Sequence, residues 1–438
     1  MSDGGGRARL ERIFRAALAA ADPRAALEGA VSAGPDGVRL AGEALGDAGL
    51  HALAVGKAAA PMMAAVEERL GGRLRRGLVL TKDGHEEPSL RALQRAAGHP
   101  VPDARSAAAG AEALAFVGGV PSTDVLLVLL SGGASSLLTT PDVGLERRDL
   151  ETATRLLLAG GAPIDELNAV RKHLSATAGG RLALAGRAAR TIVLAVSDVP
   201  DDRIDLIGSG PFAPDPSRFA DAAAVFRSRG LWDELPGAVR RVLLAGERGE
   251  RPETPKPDDP RLAAVRHEIL ASNATALAAA TEAAEREGFA TVVEPAELVG
   301  EARAVGERWA ARLAAQRPDR PTCWLAGGET TVTLRGPGRG GRCQELALAA
   351  ALGLDGVAGV CLLAAGTDGT DGPTDAAGAF ADGGSCARGR AQGVDARACL
   401  DANDSHAFFE AEGGLLRTGP TGTNVRDLLL ASVAPARG

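Results

Sequence analysis

Four short runs, Leu50–Val55, Gly77–Thr81, Asp124–Leu130 and Thr191–Val196, are rich in Val and Leu and give way to Gly, Ser or Asp. Ala/Leu-rich stretches of helical spacing separate them: Ala58–Leu70, Ala104–Val117 and Ala176–Ala185. A strand that is apolar on both faces must lie inside a sheet covered on both sides. A helix between consecutive strands is the connection that makes such a sheet parallel. The alternation therefore predicts an α/β fold.

The pattern breaks once. Glu247–Pro260 carries four prolines among charged residues and reads as an exposed connector. A second αβ series follows: His267–Ala271, helix Ala274–Glu287, Thr291–Val293 and helix Gly300–Ala315. Thr322–Ala326 and Thr330–Leu334 then flank Gly327-Gly328-Glu329, a hairpin signal. The expected organisation is a Rossmann-like, doubly wound domain over 1–246, a connector over 247–260, and a mixed-sheet α/β domain over 261–438.

Composition removes several classes of function. Aromatic residues make up 3% of the 438 residues and Tyr is absent, which leaves little to stack single-stranded bases on. A net charge of −7 without a basic stripe argues against duplex binding. The clearest apolar run, Val125–Leu130, falls far short of the roughly 20 residues of a membrane span. Met1–Leu10 has no apolar leader core, so secretion is not expected. The five cysteines include no C-x-x-C pair, which favours a reducing cytoplasm over a disulfide framework or structural zinc. No H-E-x-x-H occurs among the six histidines.

In open α/β sheets ligands bind beyond the carboxyl ends of the strands, so the turns there come first. Gly56-Lys57-Ala58 places a lysine at one such turn. Ser131-Gly132-Gly133-Ala134-Ser135-Ser136 follows six apolar residues and offers hydroxyls and backbone N–H groups to an anion, although no Walker A pattern is present. Asn168-Ala169-Val170-Arg171-Lys172-His173 concentrates donors on one helix, where the adjacent Arg171 and Lys172 point about 100° apart and cannot both face one ligand. Asp198 ends the Thr191–Val196 run, a position that suits Mg²⁺, whereas Asp201 and Asp202 fit a turn. Gly336–Gly341 matches G-x-G-x-x-G formally, but its preceding strand reads as a hairpin arm, which is weak for a dinucleotide site. Arg342 at a helix start opposes the helix dipole unless an anion sits beside it. Asp368, Asp371 and Asp375, spaced by Gly and Thr, form either a binding loop or a turn cluster.

Taken in order, AVGKAA, TKDGHEEP, GHPVPD, LSGGASSLL, NAVRKHLS, SDVPDD…GSGP, GGETTVTLRG, GGRCQELALA, AAGTDGTDGPTDAAGA and TGPTGTNVRDL resemble the class II glycerate 2-kinases, from about Val55 to Leu430. That family carries a C-terminal MOFRL module, here about 320–430. The resemblance implies a two-domain kinase with its site in a cleft, which transfers the γ-phosphate of ATP to the 2-hydroxyl of D-glycerate with Mg²⁺. It further implies that Lys57 and Arg342 are the catalytic cations and that Ser131, Gly132, Gly133, Ser135, Ser136, Asn168 and Arg171 hold the nucleotide. Asp198 would be the metal carboxylate, and Glu329, Asp368 and Asp371 the substrate contacts, with Glu345 secondary. ATP and D-glycerate are the expected partners, without nucleic acid or membrane, and a homodimer stays open. The competing activity is an NAD(P)H-dependent hydroxypyruvate reductase; a metabolite-binding module without chemistry is a third reading.

The chain departs from the family pattern at Ala178, where Lys is common, at Cys343 in place of Asn, and at His406 in place of Tyr. For Cys343 two readings stand. A helix start and the neighbouring Arg342 would favour a reactive thiolate, whereas a buried thiol would be inert packing, the reading that weighs slightly more.

Overall fold

The computed structural model describes residues 3–34, 37–99 and 101–435; Pro100, within GHPVPD, lies outside them. The chain divides into two compact units. One spans Ala26–Leu270, and the other joins the segment ending at Ala25 to everything from Ala271 onward.

The Ala26–Leu270 unit begins with a small antiparallel sheet of β1 (Val31–Gly34), β2 (Gly37–Leu40) and β3 (Glu43–Ala44). Its main sheet contains β4 (Leu50–Val55), β5 (Leu74–Lys82), β6 (Leu93–Ala97), β7 (Val125–Leu130), β8 (Arg190–Val196) and β9 (Val265–Ala271). Their order is β6-β5-β4-β7-β8-β9, and the pairs from β6 to β8 are parallel. β4 and β7 are buried at every position, as their apolar runs require, and the one polar residue among them, His51 of β4, meets the buried Asp124 carboxylate at 3.0 Å. Leu53, Val55, Leu126, Val128 and Leu130 pack with Phe116 and Val117 of helix Ala104–Gly118 into one core. The winding reverses between β4 and β7, so a crevice opens at their carboxyl ends. A second core lies among helices Arg147–Ala159, Ile164–Leu174, Phe219–Ser228 and Gly237–Glu247.

Three expectations change here. The strand near His267–Ala271 does not open a second series but closes the edge of this sheet as β9. Helix Ala176–Ala185 shrinks to Arg181–Ala185, because Gly179 and Gly180 take φ of +56° and +78°. The 247–260 stretch is exposed at its two ends but pinned at its centre. Thr254 is buried and donates to Asp215 Oδ2 at 2.9 Å, and His173 Nε2 meets Glu253 at 3.2 Å.

In the other unit, helix Asp3–Ala20 packs along helix Asn273–Arg286, so this helix does not join the 26–270 sheet as boundaries at 1–246 would require. The sheet contains β10 (Ala290–Val293), β11 (Thr322–Gly328), β12 (Val360–Gly366), β13 (Gly378–Asp382), β14 (Leu415–Leu416) and β15 (Asp427–Val433). Its order is β10-β11-β15-β12-β13-β14, mixed as expected: β10 and β11 are parallel and the remaining pairs antiparallel. The hairpin after β11 does not form. Gly327 and Gly328 stay in the strand, and Thr331 hydrogen-bonds Gly300 and Ala302 instead of folding back on β11. Gly328, at φ +146°, has the Leu298 backbone 2.5 Å from where a Cβ would stand, so the glycine pair serves a close approach rather than a turn.

Candidate functional site

At the β4/β7 crevice two turns are tied together. Lys57 N–H donates to Gly132 O at 2.9 Å, and Ala58 N–H donates to Ser131 Oγ at 3.0 Å. Gly56 sits at φ +128°, where a Cβ would lie 2.2 Å from Ser131 Oγ. Only glycine lets the lysine turn come this close to the serine loop. Ser131 is buried, so its hydroxyl builds the turn and is not offered to a ligand. A Cβ on Gly132 would stand 2.0 Å from Asp198 Oδ2, which places that carboxylate directly against the loop. On the other side, a Cβ on Gly133 would stand 2.9 Å from His99 Nε2 and 3.2 Å from Lys57 Cγ.

Beside this loop lies a cavity of about 930 Å³. His99, Gly133, Ser135, Ser136, Arg171 and Ala178 line it, with an apolar wall from Leu150, Leu158, Val170 and Leu174. Ser135 Oγ is 2.8 Å from Ser209 Oγ, which in turn donates to Asn168 Oδ1 at 2.8 Å. Asn168 is buried behind Ser209 and is not among the lining residues, so it positions the loop rather than touching a ligand. Arg171 does line the cavity. Among the described residues no carboxylate pairs with it, and burial alone lowers its pKa. Lys172, next in sequence, turns the other way to Asp205 at 2.8 Å and Asp215 at 3.4 Å, the divergence their helical spacing requires.

Mg²⁺ takes one or two carboxylates and fills its remaining positions with water and phosphate oxygens. Asp198 against the glycine loop fits that need. Among the described residues no group of three or more His, Cys, Asp or Glu forms a metal cage. Asp201 and Asp202 hold left-handed turn conformations at φ +53° and +51°.

In the other unit two carboxylates meet Arg342, the first residue of helix Arg342–Gly353. Its Nε and Nη2 donate to Asp427 at 2.6 and 2.8 Å, and Nη1 lies 2.7 Å from Glu329. Burial disfavours the charge, but the Asp427 hydrogen bonds and both carboxylates more than offset it and raise the pKa. Asp427 begins β15 opposite Gly328 and Gly366, so the pair sits where β11, β15 and β12 end together. Asp368 follows β12 and caps its own turn through Thr370 N–H at 3.2 Å. The anion that Arg342 needs beside a helix start is thus Asp427, 85 residues away in sequence.

Asp371, expected among the substrate contacts, is turned to a helix start instead. It is buried and accepts from Cys343 N–H at 3.1 Å, Gln344 N–H at 2.8 Å and Gln344 Nε2 at 3.0 Å. It therefore caps the helix that carries Arg342. Burial pushes its pKa up to about 6 against the pull of those donors. With Asp371 on the helix amides and Asp427 nearby, Cys343 loses the positive field a thiolate would need. The thiol is buried and its pKa is raised, by burial first, so the reactive-thiol expectation is overturned. Glu345 is buried on Asn403 Nδ2 at 2.8 Å and belongs to the helix packing. The Gly336–Gly341 loop packs on Ala402 and Asp404, with Gly338 N–H on Ala402 O at 2.9 Å and Arg339 N–H on Asp404 at 2.9 Å. Those glycines serve chain packing, and a pyrophosphate finds no bed there. His406 takes up Asp375 at 3.0 Å and Arg339 at 3.1 Å.

Sequence reasoning missed Asp427, Ser209 and His99 as site residues. Each lay inside a quoted motif, but no periodicity singles out one polar residue of a strand end from its neighbours.

Two family models match the chain: a domain of unknown function, DUF4147, over residues 9–244, and the MOFRL family over 322–427. A glycerate 2-kinase of Pyrococcus horikoshii is 38% identical over 98% of this chain and 97% of its own length. A protein of Agrobacterium vitis that bears a provisional hydroxypyruvate reductase name is 40% identical over 96% of this chain and 92% of its own. The crystal structure of a glycerate kinase from Thermotoga maritima superposes with a TM-score of 0.85 at 37% identity, covering 98% of this chain and 99% of that one.

Proposed function

The chain belongs to the class II glycerate 2-kinase family, and on that premise we propose that it transfers the γ-phosphate of ATP to the 2-hydroxyl of D-glycerate. The observation that carries this reading is the Lys57 turn bound to the Gly132 carbonyl at the β4/β7 reversal, with Asp198 against the same loop. Phosphoryl transfer asks little covalent chemistry of a protein. Positioning, and cations on the spreading negative charge, supply most of the rate.

In this reading the cavity takes the nucleotide. Leu150, Val170 and Leu174 supply an apolar wall for the base, and Arg171 supplies an unneutralised cation for the phosphate chain. Ser135 and Ser136 shape the wall beside the phosphate chain, Ser135 donating to Ser209 Oγ and Ser136 to the Gly133 carbonyl. Lys57 carries a flexible ammonium to the transferring phosphoryl group. Asp198 would hold Mg²⁺, which neutralises phosphate charge when bound. Arg342 contributes a guanidinium whose orientation Asp427 fixes by two parallel hydrogen bonds. Glu329 and Asp368 stand beside it as hydrogen-bond acceptors for substrate hydroxyls. Five free cysteines suit a reducing cytoplasm, the compartment we assign. Among the described residues no helix is long and apolar enough to cross a membrane.

The test is a paired assay on the purified chain. D-glycerate with ATP and Mg²⁺ should give 2-phosphoglycerate. Oxidation of NADH by hydroxypyruvate without any ATP-dependent product would overturn the reading in favour of the reductase.

A further inference from the structure

A hydroxyl can accept a hydrogen bond as well as donate one, but it has a single hydrogen to give. In the cavity beside the serine loop that hydrogen is already committed almost everywhere. Asn168 Nδ2 donates to the Ile164 carbonyl at 3.1 Å, which turns its Oδ1 to Ser209, whose hydrogen it accepts at 2.8 Å. Ser209 then has none left for Ser135, so the 2.8 Å contact between the two is a bond that Ser135 donates. Ser136 donates to the Gly133 carbonyl at 3.0 Å, and Thr139 to the Ser135 carbonyl at 2.8 Å. Thr177 donates to the Leu138 carbonyl at 2.6 Å, which leaves Ser175, at 3.1 Å, as the donor of the bond they share. Among the described residues that line the cavity, Thr154 alone carries a hydroxyl outside this pattern.

The wall is therefore rich in hydroxyls and yet presents lone pairs. A phosphate oxygen, itself an acceptor, gains nothing against them. Arg171 on the same cavity offers the opposite chemistry, donors and no lone pair. The backbone marks the same chain of bonds. Ser209 holds φ +62° between Gly208 at +59° and Gly210 at +61°, a left-handed run in which the serine is the strained member. Glycine would sit there with less strain, but only a hydroxyl joins Ser135 to Asn168.

We infer that Ser135 is the hydrogen-bond acceptor for a hydroxyl or amino hydrogen of the nucleotide, and that Asn168, acting through Ser209, fixes this polarity. The inference rests on the kinase reading of the cavity and adds which way round the nucleotide lies: phosphates toward Arg171, the donor-bearing sugar or base on Ser135. Ser135 touches the ligand, whereas Ser209 and Asn168 are positioning residues. A nucleotide without that hydrogen leaves the Ser135 lone pairs covered and unpaired, the mismatch by which a polar site rejects an analogue most strongly.

The test is calorimetric, so it does not depend on turnover. Kd is measured in the presence of Mg²⁺ for ATP, 2′-deoxy-ATP, 3′-deoxy-ATP and the triphosphate of purine riboside, which lacks the 6-amino group. In wild type one of the three analogues should bind about fivefold or more weakly than ATP. Loss with a deoxy analogue assigns the hydrogen to the ribose, and loss with the purine riboside assigns it to the base. In Ser135→Ala, ATP should weaken by the same factor and the analogue should then bind as ATP does. Ser209→Gly, which suits the left-handed backbone and removes the link, should bring the ratio to within about twofold with Ser135 still in place. A merely structural Ser209 would shift all four affinities together and leave their ratios unchanged.

Kd ratios that are the same in wild type and Ser135→Ala overturn the inference, and a ratio fully kept in Ser209→Gly overturns the polarity assigned to the Asn168 chain. Turnover with D-glycerate is recorded separately. Its absence fails the kinase reading, while the ratios still judge the acceptor.

Discussion

Arg342 and Asp427 face each other through two hydrogen bonds of 2.6 and 2.8 Å, one helix start against one strand start, across 85 residues of sequence. The pairing turns a long, flexible side chain into a guanidinium of fixed direction. It also means that the effect of losing the carboxylate is read in the arginine.

Asp427→Asn should therefore lower kcat by about tenfold to a hundredfold while the fold survives, because the misdirected guanidinium no longer meets the developing charge. Asp427→Glu should recover part of the loss. Steady-state kinetics with circular dichroism as the folding control decide it; unchanged kcat in Asp427→Asn would mean that Arg342 is oriented by Glu329 alone.

Lys57→Ala and Arg342→Ala should each cost at least about a hundredfold in kcat, the scale of losing one electrostatic stabiliser. Arg342→Lys should not restore the rate, since an ammonium cannot hold Asp427 at two points and meet a phosphate as well. Near-normal turnover in either alanine variant would remove that residue from the chemistry.

Gly132→Ala should act through the metal. Its methyl group would press on Asp198, 2.0 Å from the carboxylate oxygen, so the carboxylate must move. The Mg²⁺ concentration for half-maximal activity should rise about tenfold or more, the scale seen when a ligand's support is disturbed. An unchanged Mg²⁺ profile would separate Asp198 from the metal.

Asp371 carries a pH signature. Its pKa rises from 3.8 in the free side chain to about 6 in the fold, so the native state binds the proton more tightly than the unfolded chain. The stability this contributes is full below about pH 4 and is lost as pH climbs through about 6, a loss of about 3 kcal/mol at most. Thermal unfolding between pH 4 and 7 should show wild type falling relative to Asp371→Asn. A constant difference across that range would mean that the carboxylate stays ionised throughout.

Cys343, buried against Asp371 and Asp427, should resist thiol reagents in the native protein. Peroxide should inactivate wild type and Cys343→Asn equally. Protection by the Asn substitution would return the thiol to the functional site.

The central strands of the parallel sheet were legible because β7 is apolar at every position and β4 at all but His51, so both advertise burial on both faces. β6, Leu-Gln-Arg-Ala-Ala with Leu93 exposed, carries no such signal and went unseen. Gly327-Gly328 misled for a physical reason. Turn residues and close-approach residues are both glycine, and only the neighbouring Leu298 backbone tells which demand is present. In the candidate site, Lys57 and the serine loop stood out by position at strand ends. The partition of Arg171 toward the cavity and Lys172 toward Asp205 followed from helical geometry alone. Asp371 and Cys343 were misjudged because their roles depend on which carboxylate reaches the helix start. That is a long-range fact a local motif does not contain.

β15, the last strand in the sequence, is the middle of its sheet, bonded on one side to β11 and on the other to β12. During synthesis the Ala26–Leu270 unit can fold as soon as it leaves the ribosome. The unit holding Arg342 must wait until Asp427–Val433 arrives to fill the gap between β11 and β12. The arginine's counter-charge is delivered by that same strand. A chain cut just before Asp427 would thus have a complete parallel sheet and a misdirected arginine, so competence for the reaction waits on that one strand.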